Sequence, residues 1–205
     1  ISGSLMTFEH QEKNKLLGFD KVIMLAGGVG YGKKHEAEKG VPKKGDKIII
    51  LGGTWSNYPV SYQREFMRDI YYAANTWFNR REERYTLERE KTINETALVK
   101  IIGITTETRP DFITTEEVMR FISYGVTRVQ LGVQTTNDRI LKKINRQCYT
   151  KDVIAALELL YNYGFKVLIH IMPNLPGSTP EIDKEMFNFI LNGSLYLRHC
   201  FTSHA

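Results

Sequence analysis

Apolar residues gather along the chain in short, β-branched runs. They are KVIMLA (Lys21 to Ala26), KIIILGG (Lys47 to Gly53), KIIGITTE (Lys100 to Glu107), RVQLGVQ (Arg128 to Gln134) and KVLIHIMPNLP (Lys166 to Pro176). These runs lack sustained polar alternation, which predicts strands buried on both faces, as in a parallel sheet. Helical spacing fills the gaps. SYQREFMRDIYYAANTWF starts near Ser61 and repeats apolar residues at Phe66, Ile70, Ala73 and Trp77. TTEEVMRFISYG opens with the capping box Thr114–Glu117 and stops at Gly125, and TKDVIAALELLYNYG stops the same way at Gly164; both glycines suit a left-handed C-cap. The alternation of strand and helix predicts an α/β fold with right-handed crossovers, either an open sheet or part of a barrel.

Other stretches carry different patterns. NRREERYTLEREKTIN, residues 79–94, is dense in charge and predicts a solvated helix laced with i,i+4 pairs. GGVGYGKK, residues 27–34, matches neither GxGxxG nor GxxxxGK[ST] and reads as a loop. LGGTWSNYP, residues 51–59, follows a strand and precedes a helix. Its paired glycines let backbone approach a ligand without a Cβ in the way, or simply make a tight turn.

Composition narrows the class. The 205 residues are 42% hydrophobic and 25% charged, an ordinary globular balance with room for one α/β core. No run reaches the ~18 to 20 apolar residues of a membrane span, so a cytoplasmic protein without membrane contact is expected. A net charge of +5 gives mild support for a polyanionic partner. The two cysteines, Cys148 and Cys200, have no metal-type spacing, so neither a disulfide scaffold nor a metal site is expected in this chain.

Polar residues stand at one end of the strand runs. Glu107 closes one, Gln134 the next, and His170 sits inside the last. A carboxylate where a parallel strand meets its loop can accept hydrogen bonds from a ligand ammonium or hydroxyl, or pair with Arg109. Gln134 offers a donor and an acceptor. Arg146, ending the helix DRILKKIN, suits either a carboxylate clamp or a helix C-terminus. His170 reads as a core histidine or as a ligand group. Because parallel strands end on one edge, these groups are expected to converge on one mouth.

GGTWSNYPVSYQREFMRDIYYAANTW, GITTETRPDF, SYGVTRVQLGVQTTNDRILKKINR and GFKVLIHIMPNLPGSTPEIDKEMF together resemble the radical S-adenosylmethionine domain of the Elongator complex catalytic subunit. The likeness runs from about Leu51 to Phe187. It implies a partial (β/α) barrel with a mostly parallel sheet, here incomplete, binding S-adenosylmethionine and a [4Fe–4S] cluster. It further implies modification of the tRNA wobble uridine with acetyl-CoA as carbon source. By resemblance Gly52, Gly53 and Thr54 hold the methionyl amino group. Glu107 meets the cofactor at the next strand, Gln134 and Arg146 serve the ribose and methionyl carboxylate, and His170 lies near the adenine end. Lys142 and Lys143, with Arg146, become candidate contacts to nucleic-acid phosphate.

The chain departs from the family pattern in its thiolates. Members carry three cluster cysteines after the first strand, whereas this sequence has no cysteine before Cys148. Cluster ligation therefore is not expected from the chain as given, nor radical generation. The reading divides it into a poorly matched segment and basic connection (residues 1–46), a radical S-adenosylmethionine-like α/β domain (47–192) and an irregular tail (193–205). A fragment of a tRNA-modifying transferase is expected, with tRNA, Elongator-type subunits or the rest of its parent chain as partners. A cluster-free paralogue that binds S-adenosylmethionine or tRNA, and a generic barrel enzyme with a small polar ligand, stand as alternatives.

Overall fold

A computed structural model describes residues 46–50, 54–78 and 80–192. The runs at Lys21 to Ala26 and Gly27 to Lys34 lie outside them. Four strands follow in chain order: β1 (Asp46–Ile50), β2 (Ile101–Thr108), β3 (Val126–Gln134) and β4 (Lys166–Ile171). The sheet order is β1-β2-β3-β4, with β1 parallel to β2 and β3 parallel to β4. Helices α1 (Val60–Thr76) and α2 (Leu87–Asn94) separate the first two strands, and α3 (Thr115–Tyr124) the middle two. The helices α4 (Asp138–Lys143) and α5 (Thr150–Asn162) precede β4, and α6 (Pro180–Asn192) follows it. The expected α/β alternation is present, and among the described residues the sheet stays open.

Two compact units make up the chain: Ile1–Thr106 with Tyr124–Val126, and Glu107–Ser123 with Thr127–Ala205. In the first, Ile48 and Ile50 of β1, Phe66, Met67 and Ile70 of α1, Leu87 of α2 and Ile104 of β2 are buried. Phe66 and Ile70 occupy the predicted apolar stripe. Trp77 does not, because α1 ends at Thr76 and leaves the indole at the cap, exposed. The start of β2 is fixed by polar contacts. Asn94 donates to Asn75 Oδ1 (2.8 Å) and to the Val99 carbonyl (2.9 Å), and accepts from the Ile101 N–H (2.8 Å) at the start of β2.

The charge-dense stretch is not the solvated helix its pattern predicts. Helix α2 begins only at Leu87, capped by Thr86, whose Oγ1 accepts from the Arg89 N–H at 3.4 Å. The cause is Glu90, a fully buried carboxylate. It accepts from Arg81 Nη2 at 2.5 and 2.7 Å, from the Tyr85 N–H at 3.0 Å and from Asn75 Nδ2 at 2.8 Å. Those bonds hold residues 80–86 as a strap instead of a further helical turn. The Arg81 guanidinium also stacks 4.0 Å from the Tyr85 ring centroid, and Arg89 lies 3.9 Å from the same ring. Burial pushes the Glu90 carboxyl up, but Arg81, the Tyr85 N–H and Asn75 more than offset it and hold it below the usual carboxylate range.

In the second unit Phe121 of α3, Val129 and Leu131 of β3, Leu141 of α4, Leu157 and Leu160 of α5 and Met186 of α6 are buried. Phe121 and Phe165 meet edge-on, 6.2 Å between centroids. Helix α3 shows half of the predicted capping box. The Glu117 N–H donates to Thr114 Oγ1 (3.2 Å), but the Glu117 carboxylate turns to Arg120 Nε (2.7 Å). Gly164, at φ +78, closes α5: its N–H donates to the Tyr161 carbonyl and the Phe165 N–H to the Leu160 carbonyl, a Schellman motif. Strand β4 stops at Ile171, short of the predicted Pro176. Pro173 lacks an N–H, and the Asp183 carboxylate draws the loop onto α6 by accepting from the Asn174 N–H (2.7 Å) and Ser178 Oγ (2.6 Å). Among the described residues no helix is long and apolar enough to cross a membrane.

Candidate ligand-binding site

Parallel pairing places the C-terminal ends of β2, β3 and β4 together, and these ends carry Glu107, Gln134 and His170. All three lie in the second unit. Glu107 Oε1 stands 3.4 Å from His170 Nδ1, with about a third of each side chain exposed. The alternative Glu107–Arg109 pair does not form. Arg109 instead grips Asp111 with two bonds of 2.9 and 2.7 Å. Nor is His170 a sealed core residue.

Between them, β3 ends irregularly. Gly132 pairs with His170 and Gln134 with Ile171, so the register shifts within three residues. Gln134 has φ 71, and the Thr135 N–H donates to the Val133 carbonyl at 2.9 Å. This is a γ-turn of the rare, strained kind with a positive central φ. The Met172 N–H donating to the Gln134 carbonyl at 2.7 Å ties the turn to the chain leaving β4.

Arg146 arrives from the other side. Its helix, α4, ends at Lys143, earlier than the DRILKKIN spacing predicts. Asn145, at φ 53, closes it with a Schellman motif, its N–H donating to the Lys142 carbonyl (3.1 Å) and the Arg146 N–H to the Leu141 carbonyl (2.9 Å). Arg146 is therefore not a helix-terminal cation, because it stands beyond the cap. Its Nη2 donates to the Gly132 carbonyl at 2.7 Å. Burial lowers its pKa first, Arg109 lowers it further, and Cys148, Asp111 and Glu107 act in the opposite sense.

Two atoms here are left over. Arg146 Nε, a donor, and Gln134 Oε1, an acceptor, are buried without a hydrogen-bond partner. An unmade bond of this kind costs about 1–3 kcal/mol in a dry interior, so a polar ligand that accepts from one and donates to the other fits the place. Exposed Lys142 and Lys143 belong to the last turn of α4, with the Lys143 stem lying over Gly177. Thr54 is in the first unit, N-capping the 3₁₀ turn Trp55–Asn57 without a side-chain cap bond. Gly52 and Gly53 lie outside the described residues.

Among the described residues cluster-type iron finds no matching donor set. Cys148 is buried, and burial above all pushes its thiol up to about 11, so it is protonated at neutral pH. Among the described residues no group of three His, Cys, Asp or Glu side chains is placed to hold a metal. The thiolates of a [4Fe–4S] cluster are thus absent from this part of the chain.

Residues 34–190 match the family model described as the Radical SAM superfamily. The chain belongs to the radical SAM superfamily. Within it, the chain is 43% identical over 146 residues to a tRNA uridine(34) acetyltransferase of Dehalococcoides mccartyi, covering 71% of this chain and 31% of that protein. It is 33% identical over 144 residues to Elongator complex protein 3 of Homo sapiens, covering 69% of this chain and 25% of that one. A solved structure of archaeal Methanocaldococcus infernus Elp3 with an N-terminal deletion superposes with a TM-score of 0.69 at 37% identity, over 76% of this chain and 35% of that one. This radical SAM chain spans about a third or less of the length of these curated relatives.

Gly132, Asn145 and Asp111 belong to the site's frame without having been picked out as candidates in the sequence. A glycine inside an apolar strand run and an asparagine just past a helix were available signals. The partnering of Arg109 with Asp111 had none.

Proposed function

We propose that this chain is the S-adenosylmethionine-binding part of an enzyme that modifies the wobble uridine of tRNA. The observation that carries the reading is the convergence of Glu107, His170, Gln134 and Arg146, with a buried donor and acceptor left unpaired. Glu107 accepts from an ammonium or hydroxyl of the cofactor. Gln134 Oε1 takes a ribose hydroxyl, and Arg146 Nε faces the methionyl carboxylate. His170 borders the adenine end. S-adenosylmethionine supplies a sulfonium whose C5′–S bond is the radical source in this superfamily. The thiolates that would ligate a [4Fe–4S] cluster do not fit this chain, and no electron-delivery step is assigned to its residues.

The relatives' names, tRNA uridine(34) acetyltransferase and Elongator complex protein 3, support tRNA as substrate and an Elongator-type assembly; acetyl-CoA as co-substrate and the cytoplasm as compartment complete the proposal. Lys142 and Lys143 on α4 are the proposed phosphate contacts, which makes tRNA binding weaken with salt. Thermal unfolding with S-adenosylmethionine tests the reading. At tenfold the dissociation constant the ligand adds about 1.4 kcal/mol of stability. No shift at millimolar cofactor sinks it. The missing thiolates favour a second reading, a cluster-free module that binds cofactor and tRNA.

A further inference from the structure

Gly132 has a hollow beside it that is filled by other residues' side chains. A Cβ at this position would lie 2.8 Å from Arg146 Nη2 and 3.3 Å from Gln134 Nε2, with the Thr108 carbonyl next at 3.9 Å. The first distance is shorter than real Cβ contacts allow. Both near atoms are the ends of flexible side chains, so the backbone itself would admit an alanine. The guanidinium is moored there by its bond to the carbonyl of Gly132 itself, 2.7 Å. The strained turn at Gln134 brings the second side chain back over the same residue.

We infer that Gly132 is a positioning residue for the ligand site, an inference that rests on the cofactor reading above. The missing side chain seats Arg146 and Gln134 together, and the seat fixes where Arg146 Nε and Gln134 Oε1 point. Those are the two unpaired atoms of the site. They belong to two side chains seated on one residue, so the ligand that satisfies both presents an acceptor to the first and a hydroxyl donor to the second. A methyl group at 132 leaves every ligand-facing residue in place by identity and displaces chiefly Arg146, whose Nη2 it would meet at 2.8 Å.

The test uses the 205-residue chain with the substitutions Gly132→Ala and Arg146→Ala, singly and together. Two readouts are needed: the protected Nε–H resonance of Arg146 in nitrogen-15 spectra, and S-adenosylmethionine affinity by calorimetry. Gly132→Ala is expected to keep the wild-type melting midpoint, to lose the protected resonance and to weaken the cofactor about tenfold, the loss of one charge-assisted hydrogen bond. In the Arg146→Ala background the same alanine is expected to add less than about a twofold loss, the non-additivity of two residues acting through one contact. A retained resonance overturns the inference, as does a tenfold loss that persists without Arg146. Should Gly132→Ala unfold, the double variant decides: recovery of folding supports the seat, and continued unfolding overturns it. If the wild-type chain takes up no S-adenosylmethionine, the functional reading fails, while the resonance still decides whether Gly132 seats Arg146.

Discussion

The two units treat buried polar groups in opposite ways. In the first, the Glu90 carboxylate is closed on both oxygens by Arg81, Asn75 and the Tyr85 N–H, and Asn94 completes a network that runs to the start of β2. Its orphan atoms, Trp55 Nε1, Gln63 Oε1, Arg81 Nη1 and Thr106 Oγ1, are scattered over separate elements. In the second unit Glu117 Oε1 and Gln130 Oε1 are orphans too, but Arg146 Nε and Gln134 Oε1 belong to two side chains whose other ends, Nη2 and Nε2, meet over one glycine. A polar network that closes both oxygens of a buried carboxylate is holding the fold. One that converges and leaves a donor and an acceptor open is waiting for something else.

The sharpest way to break this comparison is Glu90→Ala. Losing one partner of a buried pair leaves Arg81 uncompensated and is expected to destabilise the first unit by about 3–5 kcal/mol. Trp55 and Trp77 both lie in that unit, so a urea titration followed by tryptophan fluorescence reads it directly. An unchanged midpoint would show the network to be ornamental. Arg146→Ala should do the reverse. It is expected to weaken S-adenosylmethionine by about 1.5–3 kcal/mol, the range for hydrogen bonds to a charged group, with little change in stability. Calorimetry and a melt on the same sample check both halves.

Acid distinguishes the units next. The Glu90 carboxyl is held below its usual range when folded, so its contribution is complete above the unfolded value and is lost as pH falls through the folded one. Tryptophan-detected stability should therefore drop as pH descends through and below the ordinary carboxylate range, and Glu90→Gln should flatten that slope. The smallest expected effect is Thr114→Ala in the second unit, about 1 kcal/mol for a lost N-cap. Circular dichroism melts detect it, and a loss well above that range would mean Thr114 does more than cap α3.

Much of this was legible in the chain. The continuous apolar runs located β2, β3 and β4 and their parallel character, because burial on both faces leaves no room for alternation. Glu107 and Gln134 were readable as strand-end polar groups, and Arg146 as a cation at the end of a helix. What pattern could not supply was partnership. Residues 79–94 look solvated because composition does not reveal that one of their glutamates is buried beneath an arginine strap. His170 reads sooner as a core residue than as a ligand until β4 is set beside β3 and its ring is found against Glu107. Arg146 was placed in a helix because only the backbone at Asn145 shows that the helix has already ended.

Sheet order equals chain order throughout the described residues. The stretch from Glu107 to His170 therefore carries all four converging side chains, their glycine seat and the strained turn without any insertion from elsewhere. For inheritance this means that one contiguous segment of sequence can be duplicated, fused or exchanged with its cluster of polar groups intact. For an engineer it marks the natural cassette to transplant into another open parallel sheet.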